Sequence, residues 1–204
     1  MNGSGAGKRN IICISGTNRP DNYTSMALAI VVETLEAAGE QLTLFDSREL
    51  ELNFPGHAQT EDAARLKEAV ASATAVVIAS PEYHGGVCAH TKLVIENLGF
   101  PSVLAGKPVA LAGVAAGRIG AIKSLEQLRG ICSHVGAVVL PGAVSIAGVR
   151  KAFDEDGACR DEGSREALQG LAESLIRFLD DFVCPKFVLE SRVREDAAPW
   201  ASSL

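Results

Sequence analysis

Five short apolar runs punctuate the chain: Ile11-Ile12-Cys13-Ile14, Leu42-Thr43-Leu44-Phe45, Ala75-Val76-Val77-Ile78-Ala79, Val109-Ala110-Leu111-Ala112 and Ala137-Val138-Val139-Leu140. They are largely β-branched and mostly continuous, the pattern of strands covered on both faces. The segments between them have helical spacing: Met26 to Ala38 carries Leu28, Val31, Val32 and Leu35, and Glu61 to Ala73 carries Leu66 and Val70. Lys92 to Leu98 and Ile119 to Val135 behave similarly. This alternation predicts βαβ units, hence an α/β fold with a doubly wound, five-stranded parallel sheet and helices on both faces.

A last helix is predicted from about Ser164, an N-cap candidate, to about Phe182, with Cys184-Pro185 ending it. Leu168, Leu171, Leu175, Phe178, Leu179 and Phe182 form its apolar stripe. Between strand five and this helix, Ala143 to Ile146 reads as ordered and Asp154 to Gly157 as mobile. The expected organisation is a flexible leader at 1–8, one domain at 9–183 and a loose tail at 184–204, with Phe187-Val188-Leu189 and Trp200 available to a neighbour.

Composition narrows the partners. The chain has 204 residues, 22% charged, and a net charge of −6, with no concentrated basic stretch. Nucleic acid and anionic membrane surfaces are therefore poor partners, and a small molecule is expected. No apolar run approaches the roughly 20 residues of a membrane span. Cysteines 13, 88, 132, 159 and 184 are odd in number and lack CxxC spacing, so neither a zinc site nor a disulfide framework is written here, and a cytoplasmic setting is expected.

In a doubly wound fold, chemistry belongs at the carboxyl ends of the strands. Strand one is followed by Ser15-Gly16-Thr17-Asn18-Arg19-Pro20-Asp21-Asn22-Tyr23-Thr24-Ser25, rich in hydroxyl, amide and guanidinium donors and leading into a helix. Such a loop suits an anion, although an ordinary capped βα turn has the same composition. It lacks both G-x-G-x-x-G and a Walker lysine, which points to a mononucleotide phosphate. Strand three is followed by Ser80-Pro81-Glu82-Tyr83-His84-Gly85-Gly86: a stiff turn, an aromatic face and two glycines that permit close approach of backbone to a flat ring. Taken singly, Tyr83 also reads as core and His84 as surface. Strand four is followed by Ala115-Ala116-Gly117-Arg118, whose small side chains expose N–H groups to a heterocycle or simply make a tight connection.

Together, Gly16-Thr17-Asn18-Arg19, Ser80-Pro81-Glu82-Tyr83-His84 and Lys92 through Glu96 resemble the NADPH-dependent FMN reductase family over roughly residues 10 to 183. Thr91, Leu93 and Glu96 depart from the family pattern. The resemblance implies a flavodoxin-like sheet of order 2-1-3-4-5. It also implies an FMN site in which Thr17, Arg19, Asn22 and Thr24 hold the phosphate, Pro81, Glu82, Tyr83, His84 and Gly85 lie along the isoalloxazine, and Tyr23, Ala115, Ala116 and Gly117 are further cofactor-binding positions. The implied activity takes hydride from NADPH or NADH and passes electrons to a quinone, azo compound, chromate or free flavin. Hydride transfer to flavin needs no side-chain acid or base, so no catalytic residue is nominated. A flavodoxin-type electron carrier is the alternative; a receiver-like domain is disfavoured because its acidic cluster is missing. A homodimer or homotetramer is expected with the helix Thr91 to Leu98 near the interface, since Val94, Ile95, Leu98, Phe100 and Pro101 are more apolar than one docked face needs.

Overall fold

The computed structural model describes residues 9–195; the leader at 1–8 and Trp200 lie outside the described residues. Strand β1 (Asn10–Ser15) lies between β2 (Gln41–Asp46), at the sheet edge, and β3 (Ala75–Tyr83), at its centre. Strand β5 (Pro108–Val114) pairs with β3, and all these pairings are parallel. A fifth place is shared by two short strands, β6 (Val138–Val139) and β7 (Val144–Ile146), which pair with the two ends of β5. The expected order is therefore kept, but the last strand is broken. Pro141 lacks a ladder donor and Gly142 has φ +77°, so the run cannot continue through them.

Alternation along the strands divides the core. Ile12, Ile14, Val76, Ile78, Val109 and Leu111 face helices α2 (Glu61–Ser72), α3 (Ala89–Glu96) and α4 (Ile122–His134). On the other face Cys13, Ala75, Ala79, Ala110 and Ala112 meet α1 (Tyr23–Ala37) and α6 (Glu162–Phe178), through Leu28, Val31, Leu35, Leu168, Leu171 and Leu175. Small strand residues on this second face leave room for the leucines of the two helices.

Several boundaries move from their expected places, each for a local reason. Helix α1 starts at Tyr23 because Asn22 caps it, its Oδ1 accepting the Ser25 N–H at 2.7 Å. The cap of α6 is Asp161; Ser164 is the residue whose N–H it receives, at 2.8 Å. Residues 154–157 form a closed hairpin: Asp154 N–H donates to Ala158 O at 3.0 Å, and the Asp154 carboxylate pairs with Arg160. It follows the short helix α5 (Val149–Ala152).

Pro185 does not end the last helix. A π-helical turn at Leu179–Val183 leads directly into α7 (Cys184–Glu195), and this wider turn just ahead of Pro185 accommodates the ring and the missing N–H that a regular α-turn would not. Residues 184–195 are thus helical instead of a loose arm, with Phe182, Phe187 and Leu189 exposed. Arg9, just before β1, pairs with Glu40 and with Asp180, which fixes the turn after α6 at the amino edge of the sheet. No helix among the described residues is long and apolar enough to cross a membrane.

The expected interface helix is largely core. Val94, Ile95 and Leu98 are buried against the sheet, and Lys92 pairs with Glu96 within α3. Phe100 is the exception: it is 91% exposed beside a groove of about 700 Å³ between α3 and α4, lined by Pro55, Ile95, Ile131 and Val135 among others.

Candidate functional site

The loop between β1 and α1 is clamped from below. Gly16 N–H donates to Ala79 O at 2.8 Å, and Gly16 O accepts the Thr91 hydroxyl at 2.6 Å. Ser80 Oγ lies 2.9 Å from Thr91 Oγ1, and Ser47 Oγ donates to Ser15 O at 2.6 Å. His90 Nε2 in turn lies 2.9 Å from Ser47 O. A Cβ on Gly16 would stand 2.9 Å from Ala79 O, so this position admits only glycine. Sequence reasoning missed Thr91, Ser47 and His90; Thr91 showed only as a departure from the family pattern.

Above the clamp the loop gathers donors. Thr17 is wholly buried, its hydroxyl 3.2 Å from Tyr83 Oη and accepting the Arg19 N–H at 3.3 Å. Two loops distant in sequence are therefore joined. Asn22 Nδ2 donates to Arg19 O at 2.9 Å, and Ser15 Oγ meets Ser25 Oγ at 2.9 Å. Thr17, Asn22 and Thr24 are buried residues whose backbone N–H groups have no acceptor among the described residues. Asn22 is the cap and Thr24 lies in the first turn of a 15-residue helix, whose N-terminus adds partial positive charge. The Arg19 side chain is exposed and has no acidic partner among the described residues. Tyr23 points elsewhere: its ring packs on Phe153 at 6.3 Å between centroids.

The second loop is mostly strand. β3 runs through Ser80-Pro81-Glu82-Tyr83 and turns through His84-Gly85 into the two-residue strand β4 (Gly86–Val87), antiparallel to it. His84 and Gly85 both have positive φ, +50° and +72°, the signature of a type I′ hairpin turn. That geometry accounts for Gly85, because an added Cβ would meet nothing closer than Lys123 Cδ at 3.7 Å. Glu82 is also engaged structurally. Its Oε2 accepts the Ser124 N–H at 3.0 Å, supplying the cap that Ala121 cannot give α4, and Pro81 O accepts the Ser124 hydroxyl at 3.2 Å.

The third loop divides. Ala115 is buried, with its N–H on Ile146 O at 2.9 Å and its O on Val149 N–H at 3.1 Å, so its backbone is consumed by β7 and α5. Ala116, Gly117, Arg118 and Ile119 are exposed, and their N–H groups find no acceptor among the described residues. They form a run of outward donors such as a heterocycle edge or an anion accepts.

These features define a class: a doubly wound α/β protein whose β1 and β5 loops and β3–β4 hairpin lie at the carboxyl edge of its parallel sheet, the edge at which such folds bind ligands. A family model described as NADPH-dependent FMN reductase matches residues 9–151, and the chain belongs to that family. It is an oxidoreductase whose cofactors are FMN and NAD(P)H. The chain is 27% identical over 177 residues to an NAD(P)H-dependent FMN reductase of Pseudomonas aeruginosa, covering 81% of this chain and 92% of the relative. An NADPH azoreductase of a Bacillus species is 28% identical over 144 residues, covering 68% and 77%. Among solved structures, the flavoenzyme NAD(P)H:(acceptor) oxidoreductase FerB of Paracoccus denitrificans shares the fold at a TM-score of 0.68 and 24% identity, over 84% of this chain and 97% of that one.

Proposed function

We propose that the unpaired N–H groups of Thr17, Asn22 and Thr24, with the Arg19 guanidinium, hold the FMN phosphate, and that this enzyme reduces small acceptors such as quinones, azo compounds, chromate or free flavin. The observation that carries the reading is the burial of three residues, at and just before a helix N-terminus, whose backbone donors lack an acceptor among the described residues. Unpaired donors at buried residues are costly unless a ligand meets them, and a phosphate dianion is the ligand their charge favours. Pro81, the Tyr83 ring, His84 and Gly85 form the wall beside the flavin ring, and Ala116 and Gly117 offer donors to its polar edge. Within this reading Tyr23, Glu82 and Ala115 support the site from behind: they pack or cap, and leave contact with the flavin to their neighbours. The bound FMN supplies the redox chemistry, accepting hydride from the nicotinamide and passing electrons on. The chain's own residues bind, orient and shield, and no side-chain proton donor is required.

Relatives include reductases of FMN and of azo dyes, which favours a turnover enzyme over a flavodoxin-type carrier. Five cysteines without a disulfide partner fit a reducing, cytoplasmic setting. The groove beside Phe100 suits a second copy of the chain, giving a homodimer or homotetramer; a monomer mass by light scattering at micromolar concentration would sink that assembly. The test of function is the absorbance spectrum of purified protein with FMN added. Twin flavin bands that bleach on NAD(P)H and return with a quinone or azo dye support the enzyme. A protein that takes up no FMN overturns the reading, and one that keeps FMN without bleaching is a carrier.

A further inference from the structure

The rim of the site is more basic than a chain of net charge −6 leads one to expect. Arg118 is exposed on the β5 loop, Arg150 and Lys151 are exposed on α5, and Lys123 is exposed in the first turn of α4. Lys123 Nζ lies 3.9 Å from where a Cβ on Gly85 would stand, so its side chain lies along the β3–β4 turn. None of the four has an acidic partner at ion-pair distance among the described residues. The segments that carry two of them are joined by backbone hydrogen bonds. Gly117 O accepts the Gly148 N–H at 2.9 Å and Ala115 O accepts the Val149 N–H at 3.1 Å. Arg118 directly follows Gly117, and Arg150 directly follows Val149.

We propose that Arg118 and Arg150 bind the 2′-phosphate of NADPH and thereby set the preference for NADPH over NADH. This rests on the flavin reading given above. The two donors differ only by that phosphate, which carries about −1.5 to −2 charges at neutral pH and three strong acceptor oxygens. Two guanidinium groups on neighbouring, hydrogen-bonded segments meet it with forked donors, and Lys123 adds a third positive charge from across the rim. Selection of NADH instead uses a carboxylate on the ribose diol. Here Glu82 is committed to the α4 cap and Asp154 to Arg160, so neither is available for that task.

The inference is tested by binding and by turnover on the same FMN-supplemented protein. Isothermal titration is carried out with adenosine 2′,5′-bisphosphate and with 5′-ADP, alongside the kcat/KM ratio for NADPH over NADH. The wild type binds the bisphosphate at least tenfold more tightly than 5′-ADP, and Arg118→Ala with Arg150→Ala removes that preference and brings the NADPH:NADH ratio down at least tenfold. Arg118→Lys, which keeps charge but loses the fork, falls between. Equal affinity of the wild type for the two nucleotides, or a preference that survives the double substitution, overturns the assignment. Flavin uptake is read separately by absorbance: loss of FMN binding in the wild type refutes the flavin reading, whereas retained FMN without bisphosphate preference refutes only the arginine pair.

Discussion

Thr91 stands where one hydroxyl serves two elements, donating to Gly16 O and receiving Ser80 Oγ. Thr91→Val keeps the shape and strands the buried Gly16 carbonyl, while Ser80 Oγ keeps Pro81 O as an acceptor, a cost of about 1–3 kcal/mol. A lower urea midpoint, with recovery in Thr91→Ser, is the expected outcome. A midpoint unchanged in the valine variant would mean that the clamp is not what holds the loop. Arg19 reports on the opposite side of the same loop. Its replacement by alanine removes a charge-assisted bond, so FMN affinity falls by about 1.5–3 kcal/mol while riboflavin, without a phosphate, is nearly indifferent. Parallel fluorescence titrations with the two ligands separate these cases, and equal losses would take Arg19 away from the phosphate. Thr91 illustrates what a sequence hides at this scale. Its role depends on Gly16, 75 residues away, and only the folded chain puts them together.

The β3–β4 hairpin shows the same limit for an element. Continuous apolar runs announced the strands, and Gly, Pro and hydroxyl clusters announced the loops between them, because those signals are local. Ser80 to Tyr83 carries no apolar periodicity; Ser80 and Pro81 continue as strand by pairing with Gly113 and Val114 of β5, and Glu82 and Tyr83 by pairing with Val87 and Gly86. Ala115 was nominated for its size, yet its backbone is consumed by β7 and α5, which reach it from more than 30 residues on. The hairpin makes a sharp prediction. Asparagine tolerates positive φ and valine does not, so Gly85→Asn retains the flavin complement and Gly85→Val loses it, both measured on protein of native circular dichroism. Equal loss in both would assign Gly85 to close contact with the ring instead. A second prediction concerns α6. Hydrogen bonds from the Ser164 hydroxyl and N–H hold the Asp161 carboxyl below its usual value. A depressed carboxylate contributes stability above its unfolded pKa, about 3.9, and that contribution is lost as pH falls through the lower folded value. Asp161→Asn keeps the cap acceptor without the titration, so the acid limb of thermal stability below about pH 4 becomes shallower. An identical limb in the variant would remove Asp161 from the acid response.

Across the whole molecule, two poles are distinct. The proposed site occupies the carboxyl edge of the sheet, while the Arg9–Asp180 pair holds the turn after α6 at the amino edge, from which α7 continues. Cys184 opens α7 and is partly exposed, whereas Cys13, Cys88, Cys132 and Cys159 are buried. Burial pushes the Cys13 and Cys132 thiols up to about 12, which withholds the thiolate that alkylating reagents need. Native protein should therefore expose one fast-reacting thiol to a coloured disulfide reagent, and Cys184→Ser should abolish that phase; a fast phase surviving the substitution would place reactivity elsewhere. The continuous helix thus gives the chain a handle at the end remote from its chemistry. A maleimide linker on Cys184 would moor the enzyme to a bead or an electrode with its catalytic mouth facing the bulk solution, and the tethered protein should turn over its nicotinamide donor at the rate of the unattached one.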